Sequence, residues 1–360
     1  MKNKRLLSVM SAVCLVLLFV ALPLLATSAS GAQAPTTQVI NLKLNCFSPQ
    51  RQGYAVPGYN GKFNGVDWWV NEINNRTGGR VNIKAFWSEG LHKGANSFEA
   101  LNAGISDIAY FTGSMTPGRL PISADLIGDC PLLRGDLKLQ LEVAHRLLSA
   151  GLLKEYDGYK LLMWTTVSPM VLFTKSKVIT KIEDFKGLKI RARGSISSKI
   201  VEAFGAVPIG TIDTGDLYMA LERGTIDGLS TAWNTLGMTK IYEVLSYNVD
   251  YGLCGGCVPM IMTQRLWNSL PPDIQLIFHQ TALEAENNWI DQQWLENEIS
   301  RKLFYDRGGK TGKLTPAEEA RWDQKMQSVT DQIIAGYRAK GLPMDEILAI
   351  ANLAKQEFRY

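Results

Sequence analysis

Starting at Ile40, apolar residues alternate with polar ones through Leu42, Leu44 and Cys46, the period-2 pattern of a strand with one face in a core. After a Gly/Pro-rich stretch the period changes. Phe63, Val66, Trp69, Val70 and Ile73 recur at three- and four-residue spacing, which predicts a helix stopping at Thr77-Gly78-Gly79, where glycine reaches the left-handed capping conformation. Val81, Ile83, Ala85 and Trp87 predict a second strand. Ser97 is placed to N-cap a short helix through Leu101, closed by Gly104, and 105–111 reads as a third strand. Strand–helix–strand–helix–strand at this spacing predicts a parallel sheet with helices on both faces.

A longer helix is expected over about 136–153 and a strand over 160–166. A second α/β unit follows, with strands over 171–174, 188–193 and 206–209. Its helices run over 197–204 and from Thr214, a candidate cap, through Leu217 and Leu221 to Gly224. An apolar run at 258–263 reads as a strand returning to the first sheet. After Leu270-Pro271-Pro272, ten apolar residues from Ile274 to Leu303 keep helical spacing until Gly308-Gly309. A helix over 272–306 would reach ~50 Å at ~1.5 Å per residue, longer than one domain is wide, so it should lie across two. Thr315-Pro316-Ala317-Glu318 predicts a capping box with proline at the first helical position, and a last helix occupies 343–360. The chain of 360 residues thus divides into domain I (35–168 and 257–296) and domain II (169–256 and about 315–345).

The amino terminus follows a different pattern. Lys2, Lys4 and Arg5 precede a nearly unbroken apolar run over 6–25, then small residues, so 1–34 reads as a secretory signal peptide cleaved after Ala29 or, preferably, Ala34. Cys14 lies inside the apolar run behind Val13, away from the small-residue end, so no lipid anchor is expected. Export would leave the mature chain periplasmic. Removing the three leader cations lowers the net charge from +4 to +1, a poor balance for nucleic-acid binding.

Candidate chemistry is sparse. Cys46 and Cys130 stand apart, while Cys254-Gly255-Gly256-Cys257 has redox-motif spacing. Its downstream residues are strand-like, however, and a reactive pair normally opens a helix. His92, His145 and His279 are scattered, leaving zinc without a ligand set. There is no phosphate loop, dinucleotide fingerprint or nucleophile elbow. These absences favour a binding protein without catalytic residues, metal or cofactor over an enzyme. The rival reading is an exported thiol oxidoreductase, or another α/β enzyme, using Cys254 and Cys257.

Several segments go further. Asp184-Phe185-Lys186-Gly187-Leu188-Lys189-Ile190-Arg191 leads to Gly205-Ala206-Val207-Pro208, and Leu217 to Gly228 ends in Arg223-Gly224-Thr225-Ile226-Asp227-Gly228. With Trp267 to Gln275, the long helix, Thr77 to Val81 and Gly104 to Ala109, these resemble the DctP-like solute-binding receptors of TRAP transporters, over essentially the whole chain from Ile40. The resemblance implies a two-domain periplasmic binding protein, type II-like, with the long helix bracing both domains. It would close around a small organic anion and deliver it to TRAP membrane permease subunits.

In that family an arginine ending the Gly-Leu-Lys-Ile-Arg strand pairs with the ligand carboxylate, and Arg191 matches it. The residue types agree independently: a guanidinium fork grips a carboxylate through two charge-assisted bonds, and the turn from Gly194 to Ser195 supplies helix-start amides and a hydroxyl. Arg193 is expected on the other face of the strand and ranks below Arg191. Three departures narrow the ligand. No second arginine occurs in Pro169-Met170-Val171-Leu172-Phe173; Leu229-Ser230-Thr231-Ala232-Trp233 replaces a Glu-Asn pair after Asp227-Gly228; and Tyr110-Phe111-Thr112-Gly113 stands where a glutamate is usual. The expected lining is therefore aromatic and hydroxylic: Phe111, Thr112, Trp164, Thr231 and Trp233, each aromatic being equally suited to core packing. A small or aromatic monoacid, or a sulfonate, fits better than a polyhydroxylated sugar acid.

Overall fold

The computed structural model describes residues 39–48, 50 and 65–358. The leader, its cleavage positions and Phe63 lie outside them.

Strand β1 (Ile40–Cys46) lies between β2 (Val81–Phe86) and β3 (Ile108–Tyr110), parallel to both. Helices α1 (Val66–Arg76) and α2 (Ser97–Asn102) make the connections. Ser97 does not cap α2: a 3₁₀ turn at Gly94–Asn96 runs into the helix, and Ser97, its first residue, donates its hydroxyl to the Gly94 carbonyl at 2.8 Å. Strand β3 is shorter than expected because the chain is still turning at Ile105, which is exposed, and Asp107, whose carboxylate accepts from the Lys43 amide at 2.7 Å. Helix α3 (Leu137–Ser149) is capped by Asp136, which accepts from the Leu139 amide, and leads to β4 (Tyr159–Thr166).

The second sheet begins with β5 (Met170–Thr174), β6 (Lys189–Arg191), α4 (Ser195–Ala203) and β7 (Val207–Ile209). A 3₁₀ turn at Thr214–Asp216, not a Thr214 cap, opens α5 (Leu217–Glu222), which β8 (Gly228–Ala232) follows. Two further elements, α6 (Trp233–Thr239) and β9 (Tyr247–Cys254), escaped the sequence pattern. Strand β10 (Cys257–Thr263) then returns to the first sheet, between β3 and β4 and antiparallel to both. That sheet, ordered β2-β1-β3-β10-β4, is therefore mixed rather than purely parallel. Coming back from the other sheet, β10 enters in the opposite sense, and its almost fully buried side chains suit an interior strand.

After α7 (Gln264–Ser269) comes α8 (Pro272–Asp306), 35 residues long, then β11 (Lys310–Thr311), α9 (Pro316–Ala339) and α10 (Met344–Glu357). The second sheet, ordered β11-β9-β5-β8-β6-β7, is also mixed, with β5 antiparallel to β8 and β9. Only half of the capping box at α9 forms. Thr315 accepts from the Glu318 amide at 3.2 Å, but the Glu318 carboxylate turns to the Ile182 amide and Arg321 instead.

Helix α8 reaches both sheets. Near its start Ile274, Phe278, Ala282 and Ala285 enter the core around β1, α1 and β10; near its end Phe304 packs with Phe173 and Trp233 of the second sheet. Between these stretches the buried side chains turn polar: Glu286, Gln292, Gln293, Glu296, Asn297 and Ser300. A buried polar stretch in a helix needs partners, and here Trp164 of β4, Ser168 between the sheets and Asn234 of α6 supply them.

Candidate ligand-binding site

Two chain crossings join the sheets side by side: Thr166 to Met170 from β4 to β5, and Cys254 to Cys257 from β9 to β10. The Val167 amide donates to the Gly256 carbonyl at 3.0 Å, tying one crossing to the other. Ser168 donates to Gln293 of α8 and accepts from Asn297, each at 2.9 Å. The cysteine spacing thus belongs to a structural crossing. Cys254 and Cys257 are buried strand residues with free thiols, and desolvation pushes both thiols well up, the reverse of an activated nucleophile. Glycine is required between them: a Cβ on Gly255 would lie 2.4 Å from the Gln140 side chain and 2.8 Å from the Gly135 backbone.

Beside these crossings lies a cavity of about 180 Å³. From the first sheet's side come Thr112 and Ser114, their hydroxyls 2.8 Å apart; from the second come Arg191, Arg193, Ser230 and Thr231. Asn234 of α6 and Gln293 of α8 add polar groups, and Met170, Val167 and Trp289 add apolar surface.

Arg191 ends β6 with its side chain turned inward, at 6% exposure. Its Nε donates to the Ile212 carbonyl at 3.3 Å, while Nη2 is buried without a partner among the described residues. Burial first, then the neighbouring Arg193, lowers its pKa to about 10, with Asp213 opposing them. The group therefore remains a cation at neutral pH, desolvated and with an unused donor. An anion reaching it would repair that deficit. Contrary to the expectation of an opposite face, Arg193 lines the same cavity, because residues two apart on extended chain share a face, but it is already paired with the exposed Asp213 at 3.2 Å.

The cavity collects three of the residues expected from sequence: Arg191, Thr112 and Thr231. The other four lie elsewhere. Phe111 is in the core edge-on to Phe98, with centroids 5.7 Å apart. Trp164, 1% exposed, borders a separate pocket with His145 and His279. Trp233 packs between Phe173 and Phe304, with the Arg301 guanidinium 4.6 Å from its ring centre. Ser195 is exposed at the first position of α4. Sequence reading missed Asp129, Asn234, Gln293 and Trp289. Asn234 directly follows the quoted Leu229 to Trp233 segment and was the most accessible of them; the others sit in patterns that read as core.

The family model for DctP, the bacterial extracellular solute-binding proteins of family 7, matches residues 53–336. The chain belongs to this family, the solute-binding receptors of TRAP transporters. It is 26% identical to the C4-dicarboxylate-binding periplasmic protein DctP of Rhodobacter capsulatus, over 71% of this chain and 78% of that one. Among solved structures, a marine metagenome TRAP solute-binding protein specific for aromatic acids, in complex with 3-hydroxybenzoate, aligns with a TM-score of 0.78 at 20% identity. The alignment spans 90% of this receptor and all of that chain. A TRAP solute-binding protein of Rhodoferax ferrireducens with copurified benzoate aligns at 0.77 and 21% identity, over 89% and 98% of the two chains. The shared fold is the two-domain periplasmic binding architecture.

Proposed function

We propose that this receptor binds a small monocarboxylate with an apolar, aromatic-sized body in the cavity between the sheets and hands it to TRAP permease subunits in the membrane. The observation that carries this reading is Arg191: a buried guanidinium in the cavity wall with an unused Nη2 donor. The rest of the lining supports the choice of ligand. Hydroxyl and amide groups of Thr112, Thr231 and Asn234 orient a polar edge, while Met170, Val167 and Trp289 face a flat apolar body. With Arg193 already paired, one unmet guanidinium suits one anionic group better than two. The benzoate- and hydroxybenzoate-bound proteins of the same fold point the same way. In this reading 1–34 is an export leader, the mature chain works in the periplasm without lipid anchor or catalysis, and the sheets are the cores of two closing domains.

The test is a thermal-shift screen of the mature chain against benzoate, hydroxybenzoates, phenylacetate, mandelate, propionate, pyruvate, C4-dicarboxylates, an aromatic sulfonate, neutral sugars and simple cations. A ligand that binds only the folded state raises the midpoint with its concentration. Stabilisation by monocarboxylates and not by sugars is expected; stabilisation by sugars or cations alone would overturn the ligand class.

A further inference from the structure

Between β3 and α3 the chain forms a π-helical segment, Pro121–Asp129, every residue of which after Pro121 is buried. Three acids are packed in this region. Asp125 accepts the Tyr337 hydroxyl. Glu155 accepts the Ile122 and Ser123 amides at 2.7 and 2.6 Å. Asp129, the last residue of the segment, is only 5% exposed and lines the cavity, yet among the described residues no hydrogen bond or ion pair reaches its carboxyl. Buried carboxyls that serve packing alone acquire partners, as its two neighbours have.

We propose that Asp129 is a specificity-determining residue of this cavity, its carboxyl meeting a hydroxyl or keto oxygen on the body of an acid whose anionic group is held at Arg191; the assignment rests on the receptor reading above.

Position and chemistry agree. Gly194, in the turn that follows Arg191 and Arg193, adopts φ +82°, and a Cβ there would sit 3.7 Å from Asp129 Oδ2. The carboxyl therefore lies beside the turn that carries the anion anchor, within reach of one small ligand. A carboxylate so near the anchor would repel the acid. Desolvation, reinforced by Asp125, instead raises its pKa well above the ordinary aspartate value and so favours the protonated form, which has one O–H donor and a carbonyl acceptor. Such a group can donate to a keto oxygen, or both donate to and accept from a hydroxyl, while leaving Arg191 free for the acid group. A plain acid would cover it without meeting it. Failing to satisfy a buried hydrogen-bonding group costs affinity by roughly ten- to a hundredfold.

The experiment is calorimetric titration of wild type, Asp129→Asn, Asp129→Ala and Arg191→Ala with pairs differing by one oxygen: benzoate and 3-hydroxybenzoate, phenylacetate and mandelate, propionate and pyruvate. Wild type should prefer the oxygenated member of at least one pair by tenfold or more. Asp129→Ala should bring that preference within about threefold. Asp129→Asn, which keeps shape, neutrality, a donor and an acceptor, should retain most of it and serves as the folded control. If acids bind through Arg191 but Asp129→Ala weakens both members of every pair alike, or no pair is discriminated, the Asp129 assignment is wrong while the receptor reading stands. Loss of the preferred ligand in Asp129→Asn as complete as in Asp129→Ala also overturns it, because that result requires an ionised carboxylate. If no acid binds, or Arg191→Ala binds as tightly as wild type, the receptor reading fails, and this assignment with it.

Discussion

Arg191 and Asp129 set the polarity of the cavity together, one a buried cation with a spare donor and the other a buried carboxyl with no partner among the described residues. Removing the guanidinium would strand a bound carboxylate in a desolvated site. Breaking a buried pair in this way costs ~3–5 kcal/mol, so Arg191→Ala should weaken the best acid from the screen about a hundred- to several-thousandfold. Arg191→Lys keeps the charge but loses the fork, and should recover only part of that loss. Arg193 is paired outward with an exposed aspartate, so Arg193→Ala should cost no more than ~1 kcal/mol, roughly fivefold. Titration of the three folded variants checks the ranking; Arg191→Ala binding within threefold of wild type would remove Arg191 as the anchor. The two groups also differ in how visible they are from sequence. Arg191 ends an apolar strand before a glycine turn, a local context that announces a turned-in cation. Asp129 sits among Leu126, Ile127 and Cys130 in a π-helical segment, whose wider turn no 3.6-residue pattern anticipates. The aromatic expectations failed for another physical reason: Phe111, Trp164 and Trp233 fill cores, and the cavity takes its large ring from Trp289 on the long helix.

Among the elements, α8 was the most legible, because 35 residues of helical spacing between a Pro-Pro start and a Gly-Gly end leave little freedom. Strand β9 carries a period-2 signal through Tyr247, Val249, Tyr251 and Leu253 that is blurred by the buried Asn248 between them, and α6 is too short to establish a period. The polar middle of α8 was not interpretable until its partners were placed. Asn297 Oδ1 accepts the Asn234 amide at 3.0 Å while its Nδ2 donates to Ser168, so one side chain joins helix, crossing and cavity wall. Asn297→Ala leaves the Asn234 amide unmet and takes one of the two Ser168 hydrogen bonds, and should destabilise the protein by about 1–3 kcal/mol in denaturant unfolding. Glu286, the first of these polar residues, accepts the Trp164 amide at 2.8 Å and pairs through Oε2 with His145 Nε2 of α3 at 2.9 Å. The Glu286 carboxylate raises the His145 pKa against the opposing effect of its burial. A raised folded value means the charged pair contributes fully below the ordinary histidine value of ~6.5 and is lost as pH climbs through the higher folded value. His145→Gln should therefore destabilise more at pH 6 than at pH 9. The difference should stay within ~1 kcal/mol, since His145 is partly exposed. Equal losses at both pH values would show that its charge contributes nothing.

In the whole molecule, the sheets are joined by two short crossings, by α8 and by an apolar core shared through residues 121–133, α9 and α10, and the cavity opens beside the crossings and α8. Small-molecule receptors built this way respond by hinge closure, with the φ/ψ change absorbed by a few residues at element ends. The candidates here are Val167 to Pro169 and Gly255-Gly256, where the crossings are tied by the Val167–Gly256 bond and lean on Gln293 and Asn297. In the proposed reading Arg191 of β6 in the second sheet and Thr112 after β3 in the first both touch the ligand, which would then draw the sheets together. Small-angle scattering should then show the radius of gyration, ~20 Å for a chain of this size, contract when the best acid is added at saturating concentration. Arg191→Ala at the same acid concentration should stay at the unliganded value, because closure is driven only by differential affinity for the closed state. Gly255→Ala probes the crossing itself. With no room for a methyl between Gln140 and Gly135, the strain should destabilise the fold by about 1–3 kcal/mol. Ligand affinity should fall further than in Asn297→Ala, which loosens the helix but leaves the glycine path intact. If Gly255→Ala binds and contracts like wild type while Asn297→Ala does neither, the bending point is the helix contact and not the paired crossings.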